Sequence, residues 1–270
     1  MDNLQEHLNN ITVSFNNILR FGENFEATTK VPFIEFLTKN YNNYMEQFKE
    51  IFTPNKEIET NMEYFTDIRT IAKYNENIIS GWLVEDFFIF LFKLDIFKEH
   101  NFILNFNSHD SDRVIKKERA YINSEPDFNI FHNGIEFKIE VQALLIPYSK
   151  FHIKKNKADR LFILTSFLLC LILTKKEIIF FYPEDISNMG ILTEIKAFGN
   201  KKGYEYILKN IPKKKVLNNH SLDKKILILF YWFYFYKKYG REEFHIISNN
   251  IKENITSIDQ LLTKLYKGQK

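Results

Sequence analysis

The stretch Glu125-Pro126-Asp127-Phe128-Asn129-Ile130-Phe131-His132-Asn133-Gly134-Ile135-Glu136-Phe137-Lys138-Ile139-Glu140-Val141-Gln142 decides the fold class. From Ile135 to Gln142 apolar and polar residues alternate strictly. A period of two specifies a strand with one buried face. Asn133-Gly134 just before it is the dipeptide of a tight hairpin turn, because both residues tolerate positive φ. Asp127–Phe131 is then the partner strand. On the second strand Ile135, Phe137, Ile139 and Val141 point to one side, and Glu136, Lys138, Glu140 and Gln142 to the other.

Helical patterns flank this hairpin. Phe33, Phe36, Leu37, Tyr41, Tyr44 and Phe48 recur at spacings of three and four, with Pro32 suited to a first helical turn. A second helix is predicted over Asn75–Phe92, and others over Asp223–Tyr239 and Ser257–Tyr266, where Ser257 and Gln260 fit a capping box. Leu161–Leu164 and Ile178–Tyr182 read as further strands. Phe167–Leu173 is apolar throughout, and periodicity does not separate helix from strand there. The expected architecture is α/β: a mixed sheet flanked by helices, with helical N- and C-terminal additions. The regions read as 1–74 (helical), 75–200 (core) and 201–270 (basic and helical).

Composition narrows the class. Hydrophobic residues make up 45% of the chain, enough for a sizeable core, which excludes a disordered protein. Cys170 is the one cysteine, so neither an internal disulfide nor a cysteine-based metal site is available, and a cytoplasmic setting is expected. The opening residues Met1–Glu6 are polar and acidic, unlike a signal peptide. The apolar runs Leu161–Thr174 and Ile226–Tyr236 fall short of the roughly 20 residues a membrane span needs. Net charge is only +3, but Lys150–Arg160 holds five basic residues and Lys201–Lys225 holds eight lysines. Such stretches suit a polyanion or a solvated surface.

Pro126-Asp127, eight intervening residues, then Glu136-Phe137-Lys138 resembles the motif of the PD-(D/E)xK nuclease superfamily. The resemblance covers about residues 75–185. It implies a restriction-endonuclease-like core and metal-dependent hydrolysis of DNA phosphodiester bonds. It makes Asp127, Glu136 and Lys138 catalytic, with Asp127, Glu136 and the Phe137 carbonyl as ligands of Mg²⁺. Hard oxygen ligands suit Mg²⁺, which activates water and offsets phosphate charge. A lysine on the same face would stabilise developing charge. Gly81–Phe88 is similar to the segment that supplies a further acidic ligand, with Glu85 as the match and Glu76 as its rival. Length and helical additions look most like a type II restriction endonuclease acting on double-stranded DNA as a homodimer. A nuclease-fold module that binds DNA or protein without cutting is the alternative.

The turn raises a difficulty. A two-residue loop pairs His132 with Ile135 and sets Asp127 opposite Glu140. Glu136 is then four residues away, about 13 Å at about 3.3 Å per residue, too far for a shared metal. Either a bulge shifts the register, as the superfamily pattern favours, or Glu140 is the nearer partner. Other constellations carry less. His109-Asp110-Ser111-Asp112 reads as a polar loop, and His132-Asn133-Gly134 resembles an HNH nuclease but lacks the second histidine. The run Phe230–Tyr236 suits base stacking or, better, a buried helix or dimer face. Asn218 and Asn219 are candidates for reading adenine edges.

Overall fold

The computed structural model describes residues 3–52, 70–106, 113–115, 125–144, 151–173, 177–196, 202–208, 221–250, 260 and 263. Three helices come first: α1 (Leu4–Gly22), α2 (Ala27–Ile51) and α3 (Ile71–Leu91), followed by the short α4 (Asp95–Glu99). Next come β1 (Ile103–Phe106), β2 (Phe128–His132), β3 (Ile135–Leu144), β4 (Phe151–Lys154) and α5 (Lys155–Ile163). The chain continues through β5 (Ser166–Ile172), β6 (Glu177–Phe181), α6 (Asp185–Met189), β7 (Ile191–Lys196) and β8 (Lys202–Leu208). It closes with α7 (Leu222–Tyr239) and α8 (Arg241–Asn250).

The main sheet has the order β1-β2-β3-β5-β6, with β3 and β5 parallel and the other pairs antiparallel. A smaller antiparallel sheet has the order β4-β8-β7. The connection from β3 to β5 runs through β4 and α5, the crossover that parallel neighbours require. The α/β class and the mixed sheet between helices are as expected.

Burial explains the elements. Every residue of β5 is buried because both faces of the sheet are covered there, so from Phe167 onward its sequence is continuously apolar rather than alternating. Phe167, Leu169 and Leu171 face the main core, while Leu168, Cys170 and Ile172 face a second core with Ile153, Leu161 and Ile186. The main core runs from Leu8 to Phe244 and is shared by all three regions marked out in the sequence. Helix α7 crosses the main sheet, with Phe233 stacked on Phe167 at 4.2 Å and Phe230 set among Phe92, Phe97, Phe102 and Phe137. The Phe230–Tyr236 run is therefore core, and the Phe33–Phe48 stripe is likewise buried within the chain through Phe33, Leu37, Tyr44 and Phe48.

Three local expectations change. Leu161–Leu164 is not a strand. Ala158 and Leu161, three residues apart, bury one helical face of α5, whereas Phe162 and Ile163 are exposed. Helix α3 begins at Ile71, a turn before Asn75, because the Thr70 hydroxyl accepts the Lys73 amide as an N-cap. The hairpin contains no bulge: His132 pairs with Ile135 and Phe128 with Ile139. Asn133 and Gly134 take φ of 47° and 77°, the two positive values a tight hairpin turn demands. The predicted Ser257–Tyr266 helix lies outside the described residues apart from Gln260 and Thr263. No helix among the described residues is long and apolar enough to cross a membrane.

Candidate active site

The unshifted register sets Asp127, one step before β2, opposite Glu140 on β3. The Val141 N–H donates to Asp127 Oδ2 at 2.8 Å and locks that carboxylate at the strand end. Lys157, in the first turn of α5, forms an ion pair with Glu140. Glu85 of α3 lies close enough to interact electrostatically with both Asp127 and Glu140. Asp127, Glu140 and Lys157 thus gather where β3, the start of β2 and α5 converge, with Glu85 and its Arg113 partner in electrostatic reach from α3.

This gathering is costly by itself. Burial, then the neighbouring Glu140 and Glu85, push the Asp127 carboxyl well above the usual range, against the pull of Lys157 and the Val141 N–H. Burial raises Glu85 from an ordinary 4.5 to about 7, although the Arg113 guanidinium donates to it at 2.8 Å. Arg113 also reaches Asp86 at 3.3 Å and lies over the Trp82 and Phe106 rings. Burial pulls the Lys157 ammonium down, but Glu140 and Asp127 outweigh it, and its pKa ends above the lysine range. Lys157 therefore stays protonated at neutral pH and serves as a donor and counter-charge, not as a base.

The predicted residues divide. Asp127 and Glu85 come together, and Glu140 joins them. Glu136 does not: it pairs with Phe131 near the turn and is exposed, four residues along the strand from the Asp127 position. Phe137 travels with it, its side chain wholly buried in the main core. Lys138 lies between the two ends, 3.9 Å from Glu125, whose other oxygen takes Arg160 at 2.5 Å. These are corrections to the contiguous Glu136-Phe137-Lys138 motif, and the cause is the two-residue turn, which leaves no slack to shift the register. Glu76 is elsewhere, held by His7 at 2.6 Å and by Lys73 between α1 and α3. His132 stacks on Phe102 in the core. His109–Asp112, Lys213–Lys215, Asn218 and Asn219 lie outside the described residues. Of the basic stretch 150–160, Lys155 pairs with Asp159, Lys157 with Glu140 and Arg160 with Glu125.

Sequence reading missed Lys157 and Arg113. The one usable signal for Lys157 was its place in that basic stretch, ahead of the apolar run Phe167–Ile172; nothing singled out Arg113.

Among the described residues no three acidic, histidine or cysteine side chains are grouped to hold a metal as they stand. Mg²⁺, however, is typically held by one or two carboxylates, with water and phosphate completing its shell. Asp127 and Glu140 supply such a pair, Asp127 is short of positive charge, and the Gln142 Oε1 on the same strand face is buried without a hydrogen-bond partner. The residues fit a hard cation.

A pH prediction follows from Glu85. An acid whose folded pKa is raised contributes stability that is complete below its unfolded pKa and is lost as pH rises through the folded value. The window runs from 4.5 to about 7. Buried His132, with a lowered pKa, acts oppositely in part of this window, losing stability as pH falls below 6.5. The diagnostic quantity is therefore a difference. The melting temperature of Glu85→Gln minus that of wild type, both metal-free, should climb between pH 5 and pH 8. A flat difference would mean that Glu85 titrates normally.

Compared with protein-family models, curated proteins and solved structures, the chain matches none of them.

Proposed function

We propose that the protein is a metal-dependent DNA phosphodiester hydrolase with a restriction-endonuclease-like core, acting through Asp127, Glu140, Glu85 and Lys157. The observation that carries this reading is the Glu140–Lys157 ion pair beside Asp127 at a strand end, with Glu85, held by Arg113, in electrostatic reach of both carboxylates. A purely structural cluster would balance its buried charges.

Asp127 and Glu140 would hold Mg²⁺, with Glu85 as a third carboxylate in reach of the same region. When bound, the cation supplies an activated water and offsets phosphate charge. The remaining work falls to the chain. Lys157, protonated and anchored by Glu140, donates toward the phosphate oxygens as negative charge grows on them. The Val141 N–H keeps Asp127 oriented. Arg113 keeps Glu85 aimed and favours its ionised form. The lysine thus comes from α5 instead of from β3, and Gln142 stands two residues after Glu140 where the superfamily motif would put it.

The resemblance in the hairpin supports the narrower reading: a type II restriction enzyme, Mg²⁺-dependent, cutting both strands of a short site as a homodimer. Incubation of the purified protein with mixed-sequence plasmid and Mg²⁺ tests both levels. Discrete fragments are expected, together with a dimer in sedimentation, because each chain offers one such cluster. A smear would remove site specificity, and binding without any cutting would overturn the hydrolase.

A further inference from the structure

A recess opens where the C-terminal end of α5 meets the start of β5 and the end of α7. It holds about 480 Å³ and is walled by Phe162, Ile163, Pro183 and Tyr236. Phe162 and Ile163 end α5 at 53% and 69% exposure, although an amphipathic helix would bury such residues. Lys237 stands at the lip, half-buried, and donates to Thr165 Oγ1 at 2.7 Å. Thr165, on the rim, has φ of 48°, a left-handed conformation that a β-branched residue adopts only under constraint. Backbone strain of this kind concentrates at binding sites. Glu184 forms part of the wall, both oxygens accepting from the Tyr236 hydroxyl at 2.7 and 2.8 Å, with Arg241 at 3.0 Å.

We propose that this recess takes an unpaired nucleotide, its base against Phe162 and its flanking phosphate on the Lys237 ammonium group. An exposed ring beside a cation matches an aromatic base linked to a phosphate, and stacking of this kind accepts every base. Burial pulls the Lys237 ammonium down, the Glu136 carboxylate opposes this, and Lys138 adds a smaller downward pull. A half-buried ammonium is stabilised by an anion placed against it. The volume falls within the range of about 300–1,000 Å³ typical of ligand pockets.

The position ties the recess to the candidate active site, and in this the inference rests on the hydrolase reading. Lys157 and Ile163 are six residues apart on α5, about 9 Å. The recess therefore lies within a few nucleotides of the phosphate under attack, on the same helix as Lys157.

The test uses the full chain without metal, a fluorescently labelled single-stranded 12-mer of mixed sequence, and a salt titration. Phe162→Ala should weaken binding at least fivefold, with Phe162→Trp restoring it. Lys237→Gln should flatten the slope of log K against log salt by about 0.7. Both side chains are at least partly exposed, and an unchanged thermal melt confirms that each variant is folded. Affinity within twofold of the parent in Phe162→Ala, or an unchanged slope in Lys237→Gln, overturns the proposal. Plasmid cleavage by the parent with Mg²⁺ is scored alongside. Parent cleavage with unaltered binding in the variants removes the recess alone, whereas a parent that neither binds nor cuts nucleic acid removes the hydrolase reading with it.

Discussion

Glu140→Gln should reduce DNA cleavage by at least about a thousandfold, whereas Glu136→Gln should leave it within about threefold of wild type. The contrast isolates the strand register, because both residues are glutamates on the same face of β3. Glu140 sits across from Asp127 and holds Lys157, so removing its charge takes away a ligand and the lysine's anchor together. Loss of an electrostatic group aimed at the reacting phosphate costs about a hundred- to a thousandfold by itself. Glu136 is near the turn and exposed, so its amide should cost almost nothing. Asp127→Asn should match Glu140→Gln, since the Val141 N–H contact survives the change while the negative charge does not. Initial rates on plasmid at saturating Mg²⁺ would show this. Equal losses in the two glutamate variants would reinstate the contiguous motif, and a fully active Glu140→Gln would remove the cluster from the chemistry.

Phe230→Ala should cost about 3–5 kcal/mol of folding stability, the range for truncating a fully buried aromatic residue. Its side chain has no exposure and touches four other rings, with centroids 5.4 Å from Phe92, 5.7 Å from Phe97, 5.9 Å from Phe102 and 6.2 Å from Phe137. Phe92 and Phe97 belong to the end of α3 and to α4, Phe102 precedes β1, and Phe137 lies on β3. One ring therefore ties α7 to the helix that carries Glu85 and to the strand that carries Glu140. Leu192→Ala provides the comparison: 47% exposed on β7, it should change stability by no more than about 0.5 kcal/mol. Urea denaturation with an unchanged m-value would report both. A Phe230→Ala loss below 1 kcal/mol would mean that the ring cluster repacks around the gap.

Strict alternation from Ile135 to Gln142 and the Asn133-Gly134 turn were enough to determine the hairpin, the face on which Glu140 lies and the depth of Phe137. Period and turn chemistry are local, and the main core honours them. The α/β class followed from the same local signals, whereas packing decided that the Phe33–Phe48 stripe and the α7 aromatics are buried within the chain.

Three further things were decided only in the tertiary structure. Phe167–Ile172 is a strand because it lies parallel to β3 with both faces covered, a burial that no window of sequence records. Leu161–Leu164 ends a helix instead of starting a strand, because only Ala158 and Leu161 meet the second core. The lysine partner of the acidic cluster is Lys157, which follows Glu140 by a strand end, a crossover and the first turn of α5. Motif spacing along one strand puts a lysine within two residues of its glutamate, whereas the fold brings one 17 residues downstream to the same carboxylate. Local pattern determined which faces are polar, and the packing of α5 and α3 against the end of β3 determined which polar groups meet.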